Sequence, residues 1–188
     1  MIDRILTRVE QLLIPVVHDP SMGAVDKLQQ FFAAIVQWKT GHKPFSLALL
    51  RIWYTDENAL LRQKLRETRI RRFSPLLENV LRQGRAEGGI TASYPDHVGR
   101  AVLAVVEDLS DTLARTLLAD HVDHEDTSYV DDAVAASTEA VERIIGVSPY
   151  SLSLVQAEAL REWMTPTHAR RRTASAQRMT HRHTKAEL

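Results

Sequence analysis

At 188 residues, with 44% hydrophobic and 26% charged side chains, the chain has the composition of a soluble globular domain and the length for one sizeable core or two small ones. It has no cysteine, which excludes disulfides and thiolate metal sites. Its 24 basic and 24 acidic residues cancel, no apolar run is long enough for a bilayer, and the N-terminus "MIDRILTRVEQ" is too charged for a secretory signal, so a cytoplasmic protein without a membrane partner is expected.

No alternating strand pattern occurs, whereas helical spacing recurs throughout. Ile2, Ile5, Leu6, Val9, Leu12, Leu13 and Val16 predict a first helix ending between Pro15 and Pro20. Ser21 is the expected cap of a second, with Leu28, Phe31, Phe32, Ile35 and Trp38 on one face and Gly41 after its end. A third begins near Pro44, a residue suited to a first helical turn, and carries Phe45, Leu49, Ile52 and Trp53. Thr55, as N-cap, opens a long fourth helix over residues 56–87 whose Asp56 and Glu57 favour its start. Pro75 lies inside it, so a kink or brief break is expected at Phe73-Ser74. The stretch "RQGRAEGGI" ends it: Gly88 or Gly89 can take the left-handed conformation that closes a last turn, and Ile90 can fold back onto the helix.

The fifth helix opens at Ser93 with Pro95 and Asp96 in its first turn, and carries Val98, Val102, Val105, Val106, Leu109, Leu113 and Leu117 in a nearly continuous stripe. After the polar connection "DHVDHEDTS" comes a sixth over residues 129–145, ended by Gly146. A seventh spans 150–163, and Pro166 releases the tail. The fold class is all-α, an antiparallel helical bundle formed by residues 1–166. Residues 167–188 hold Arg170, Arg171, Arg172, Arg178, Arg182 and Lys185 against the single acid Glu187, which leaves 18 basic and 23 acidic residues before them. The body is thus at about −5 and the tail at about +5, and so polar a tail is expected to be disordered.

On the sixth helix Val130, Ala133, Val134, Ser137, Ala140, Val141 and Ile144 share one broad face, where small residues permit close helix approach. Leu103, Leu118, Val134 and Ile145 fall off the main stripes, so the fifth and sixth helices are more apolar than one core requires. The plain reading is a monomeric bundle. The sharper reading is a two-fold homodimer built on Val98, Val105, Leu109 and Leu113 of the fifth helix and Val130, Ala133, Val134, Ser137, Val141 and Ile144 of the sixth.

His121 and His124 stand beside Asp120, Asp123 and Asp126, a set able to hold a divalent metal. A helix-end connection gathers such residues for solubility alone, so no metal site is expected. There is no glycine-rich phosphate loop, no His-Glu-x-x-His and no Gly-x-Ser-x-Gly, hence no catalytic constellation and no cofactor call. Trp38, Phe45, Trp53 and Tyr54 crowd into a short span, the kind of lining a small-molecule pocket uses. Candidate walls are Trp38, Phe45, Leu49, Trp53, Leu77, Leu81, Val102 and Val106, bounded by the second to fifth helices. The expected ligand is a hydrophobic or aromatic small molecule rather than a multiply charged one.

"YTDENALLRQKLRE", "RIRRFSPLLENVLRQGRAEGGI" and "YPDHVGRAVLAVVEDLSDTLARTLL" resemble the regulatory domain of TetR-family transcriptional regulators. There a helix ending in a QGxAEGxF-like sequence precedes a helix that packs in the dimer, and here Gln83, Gly84, Ala86, Glu87, Gly88 and Ile90 occupy those places. The resemblance covers about residues 1–163 and implies a dimeric, ligand-sensing module. Family members begin with a three-helix DNA-binding head, whereas this sequence starts at what resembles the fourth helix, residues 2–17. Operator binding is therefore implied only through a head not present in this sequence. The alternative is a helical interaction or ligand-binding protein that does not bind DNA. On either reading the 188-residue chain alone is expected to show no sequence-selective retention of a promoter fragment in a gel-shift titration at physiological salt. Weak binding by the arginine-rich tail that collapses as salt rises would fit; tight, selective binding would not.

Overall fold

The computed structural model describes residues 2–119 and 128–165, and every regular element among them is helical. In chain order these are α1 (Ile2–His18), α2 (Ala24–Gly41), α3 (Lys43–Trp53), a 3-10 turn at Asp56–Asn58, α4 (Ala59–Ala86), α5 (Pro95–Leu118), α6 (Ser128–Ile145) and α7 (Ala157–Met164). The all-α class is therefore observed. The connection with His121 and His124, and the tail from Thr167, lie outside the described residues. No described helix is long and apolar enough to cross a membrane.

α4 is the spine: α1, α2 and α5 pack along it, α6 lies against α5, and α7 against α2. Its buried stripe runs Leu65, Ile70, Phe73, Leu77, Val80, Leu81 and Gly84. Leu77, Val80 and Leu81 have no exposed surface and meet Leu13, Leu28, Phe31 and Val102 in the core. At about 2 kcal/mol per buried side chain, this stripe outweighs the roughly 3 kcal/mol cost of a proline inside a helix. The expected break at Phe73-Ser74 does not occur; α4 is continuous through Pro75. Pro75 and Arg71, whose carbonyl the proline leaves without a donor, are both exposed, so water can take the missing bond.

α4 ends on the glycine pair. Gly88 is left-handed at φ 77°. The Gly88 amide donates to the Arg85 carbonyl at 3.2 Å and the Gly89 amide to the Gly84 carbonyl at 3.0 Å, the paired bonds of a glycine-terminated helix. Ile90 then folds back and is buried. A Cβ on Gly84 would lie 2.3 Å from Ile90 Cδ1 and 2.9 Å from Ala24 Cβ, so only glycine lets both touch the helix here. Glu87 accepts the Ala24 amide at 2.9 Å and so caps α2 from another helix. That amide, with the Gln83 side chain, holds the Glu87 carboxyl below its ordinary pKa. Buried Lys27 joins the same corner, donating to Gln83 Oε1 at 2.7 Å and to the Val17 carbonyl in the last turn of α1 at 2.9 Å.

Several expected helix starts differ. Ser21 does not cap α2; its amide and hydroxyl both turn to Asp19, and Gly23 precedes the helix. α2 runs through Gly41, leaving only His42 before α3. Thr55 precedes the 3-10 turn, but its hydroxyl donates back to the Ile52 carbonyl rather than capping. α5 starts at Pro95 without a side-chain cap, while the Ser93 carbonyl accepts from Arg85 at 2.7 Å. The seventh helix begins at Ala157, not residue 150. Tyr150 is left-handed at φ 63°, and the chain beyond it is held irregular by side chains that replace a helix's own bonds. Buried Glu142 accepts the amides of Tyr150 and Leu152, and Gln29 exchanges two hydrogen bonds with the Ser153 backbone. Leu152 and Leu154, two apart, are thereby buried.

The two left-handed glycines differ in one testable respect. A Cβ on Gly88 meets nothing within 4 Å, whereas one on Gly146, φ 71°, would lie 2.0 Å from Thr91 Oγ1. Gly88→Ala is expected to cost only the left-handed strain, about 1–2 kcal/mol. Gly146→Ala adds overpacking for a total of about 2–4 kcal/mol in urea denaturation. Equal losses would show that the Thr91 contact contributes nothing.

Candidate functional site

α3 follows α2 after a single residue and makes few close approaches to α4 and α5. The space left behind it is a cavity of about 260 Å³. α2 contributes Phe32, Ile35, Val36, Trp38 and Lys39, and α3 contributes Leu49, Leu50 and Trp53. α4 adds Leu65 and Phe73 with Arg62 and Arg69, while α5 adds Leu103, Val106, Leu109 and Leu113 with Glu107 and Asp111. Two elements absent from the sequence expectation complete it: α1 through Ile5, Leu6 and Val9, and α7 through Trp163 and Met164. All three tryptophans of the chain line the cavity.

Trp38, Leu49, Trp53 and Val106 are thus brought together on its wall. Phe45 is not; it stands 41% exposed in the first turn of α3. Leu77, Leu81 and Val102 are not on the wall either but lie in the solid core. On α4 the wall residues Arg62, Leu65, Arg69 and Phe73 continue at helical spacing into Leu77 and Leu81 as one stripe. The cavity takes only its N-terminal half, because α2 closes on α4 at Gly84 and leaves no room at the other end. Val102 is sealed similarly, one turn after Gly99, where a Cβ would lie 3.1 Å from the Ser74 carbonyl oxygen of α4.

The dimer candidates also divide. Val130 and Val141 are fully buried in the chain's own core, and Leu109 is 3% exposed, so none of them has surface left for a partner copy. Leu113 lines the cavity wall and stays half-buried. Leu109, Val130 and Val141 serve the chain's own core, where α5 and α6 bury their strongest stripe against each other and the bundle. Val98, Val105, Ala133, Val134, Ser137 and Ile144 remain half-buried.

The polar residues at the cavity were missed from the sequence, although their spacing carries a signal. Arg62 and Arg69 share the stripe of Leu65 and Phe73, and Glu107 and Asp111 sit four and eight residues after Leu103. Arg69 forks onto Glu107, Nε donating to Oε1 at 2.7 Å and Nη2 to Oε2. Glu107 is buried, so this pair is a fixed part of the wall. The Tyr54 hydroxyl donates to Asp111 Oδ1 at 2.5 Å, and Arg66 lies 3.9 Å from the other oxygen. Burial first, then Asp111, pushes the Tyr54 pKa well above its ordinary value, leaving a hydroxyl that donates and does not serve as a base. Arg62 donates to the Trp53 carbonyl at 2.7 Å and lies 4.8 Å over the Tyr54 ring.

Lys39 is different. Among the described residues no hydrogen bond or ion pair holds its ammonium, which lies in the field of Arg69 and Glu107. Its side chain has accessible surface, yet its charge is heavily desolvated. Lys39 is exposed and lines the cavity, so its ammonium stands at the cavity wall. Burial, reinforced by Arg69 and only partly opposed by Glu107, lowers its pKa. The described residues contain no cluster of three potential metal ligands. The arrangement is that of an all-helical bundle enclosing an apolar cavity with one unpartnered cation. Comparison with family models, with curated proteins and with solved structures finds no match to this chain.

Lys39 gives the stability a definite pH dependence. With its folded pKa below the ordinary lysine value, the unfolded chain binds the proton more tightly, so this residue's contribution rises with pH between the folded pKa and that ordinary value. Urea denaturation at pH 7, 8.5 and 10 should show Lys39→Met more stable than wild type at pH 7, with the difference shrinking toward pH 10. Parallel profiles would place the ammonium in water.

Proposed function

We propose that the chain is the ligand-sensing, dimerising domain of a TetR-like transcriptional regulator, reaching DNA only through a head not present in this sequence. The cavity is the observation that carries this reading. At about 260 Å³ it exceeds the roughly 150 Å³ in which an apolar cavity holds benzene. Its walls come from the helices whose sequences resemble the family's regulatory domain. A second observation concerns α1, the helix that would lead to such a head. It contributes Ile5, Leu6 and Val9 to the cavity, and Arg72 of α4 clamps it through Asp3 and Thr7, both at 3.0 Å, and Glu10. A ligand therefore touches both sides of the α1–α4 contact, and any difference in its affinity for two arrangements of that contact shifts their populations.

The test uses the three wall tryptophans as reporters. Titration with small apolar compounds such as indole, naphthalene and 1-octanol should change tryptophan emission. A compound at a hundred times its Kd should stabilise the fold by about 2.7 kcal/mol, a Tm rise of about 5–10 °C. No emission change and no Tm shift with any of them would remove the sensing role.

Dimerisation is supported by what α5 and α6 still expose after packing on each other: half-buried Val105, Ala133, Ser137, Ala140 and Ile144, small enough for close helix approach. We expect wild type to scatter light as a dimer at micromolar concentration, and Ser137→Arg as a folded monomer, because the arginine would be desolvated without a partner. A monomeric wild type would dispose of the dimer and leave the cavity reading intact.

A further inference from the structure

We propose that the cavity selects amphipathic monoanions, a single apolar chain or ring system ending in one carboxylate, with Lys39 as the residue that receives the head group. This rests on the reading of the cavity as a ligand site and specifies its occupant. The charged groups at the wall are Lys39 on α2, Arg62 and Arg69 on α4, and Glu107 and Asp111 on α5; α1 and α7 contribute only apolar and aromatic side chains besides them. Four of the five have fixed partners. Arg69 and Glu107 satisfy each other through two bonds, Asp111 accepts from Tyr54 and faces Arg66, and Arg62 is spent on the Trp53 carbonyl and the Tyr54 ring. Lys39 remains, with no hydrogen bond to any described residue.

An unpaired ammonium against an apolar cavity is costly unless something outside the chain completes it. Desolvation at the wall lowers its affinity for a proton. A carboxylate supplies both the countercharge and the acceptors, and the apolar walls provided by Ile35, Leu49, Trp53 and Val106 take the remainder of the molecule. A second anionic group finds no second unpaired cation at the wall, since Arg62 and Arg69 are already engaged. The sequence reading expected only apolar recognition; the lysine adds a polar anchor at one point of an otherwise greasy wall, the usual construction of a selective small-molecule site.

The experiment compares octanoate, 1-octanol and octylamine, titrated into wild type and into Lys39→Met while tryptophan emission is followed. Octanoate should bind wild type about ten- to a hundredfold more tightly than 1-octanol, the range of one charge-assisted hydrogen bond, and octylamine more weakly than either. Lys39→Met should lose that preference while still binding 1-octanol, and Lys39→Arg should retain part of it. Retained 1-octanol binding shows that the variant is folded with its cavity intact. Equal binding of octanoate and 1-octanol by wild type, or an undiminished octanoate preference in Lys39→Met, would overturn the proposal while leaving the cavity reading standing. Binding of none of the three probes by wild type would overturn both.

Discussion

Where α2 meets α4, Gly84 contributes no side chain, and the methyl of Ala24 and the end of Ile90 fill the place a Cβ would take. That contact sets the geometry of the bundle. The left-handed Gly88, four residues on, reverses the chain so that Ile90 can lie on Gly84, and Glu87 just before it caps the first turn of α2. Lys27 and Gln83 tie in the last turn of α1. Three helices are thus pinned at one end of the molecule by short-range packing and by hydrogen bonds to otherwise orphaned backbone groups. The cavity lies toward the other end, along the N-terminal half of α4, with α3 on one side of it. The solid core and the cavity thus share the bundle, the first at Leu77, Leu81 and Val102, the second at Leu65, Trp53 and Val106.

Charged pairs lie at the cavity end as well. Two arginines on the N-terminal half of α4 reach partners on α5: Arg66 faces Asp111 and Arg69 pairs with Glu107. Breaking such a partly buried pair by removing one member costs on the order of 3–5 kcal/mol, mostly for stranding the other charge. These pairs are therefore wall, not bait. A single lysine lacking such a partner is a different object, and it is the contrast with its satisfied neighbours that gives Lys39 its meaning.

Local chemistry was legible where one residue type alone can serve. Gly88 and Gly146 end helices because a left-handed residue without a Cβ is needed there, and Pro44 opens α3 because its fixed φ suits a first turn. Side-chain caps were not legible. Ser21 and Thr55 are good cap residues, but their hydroxyls bond locally, to Asp19 and to the Ile52 carbonyl, and the free amide of Ala24 at the start of α2 is instead met by Glu87, 63 residues away. The span 150–156 read as helix because nothing local shows that Glu142 and Gln29 will take its backbone groups.

The sequence by itself determined the all-helical class, the long α4 with its glycine end, and the apolar stripe along which the candidate site lies, because periodicity and glycine conformation are properties of neighbouring residues. Only the tertiary structure decided which half of that stripe is core and which is cavity, which apolar residues of α5 and α6 are already used within the chain, and that Lys39 stands unpaired beside Arg69 and Glu107. Those outcomes depend on how closely helices distant in sequence approach one another, and a residue's pattern along its own helix carries no record of that distance.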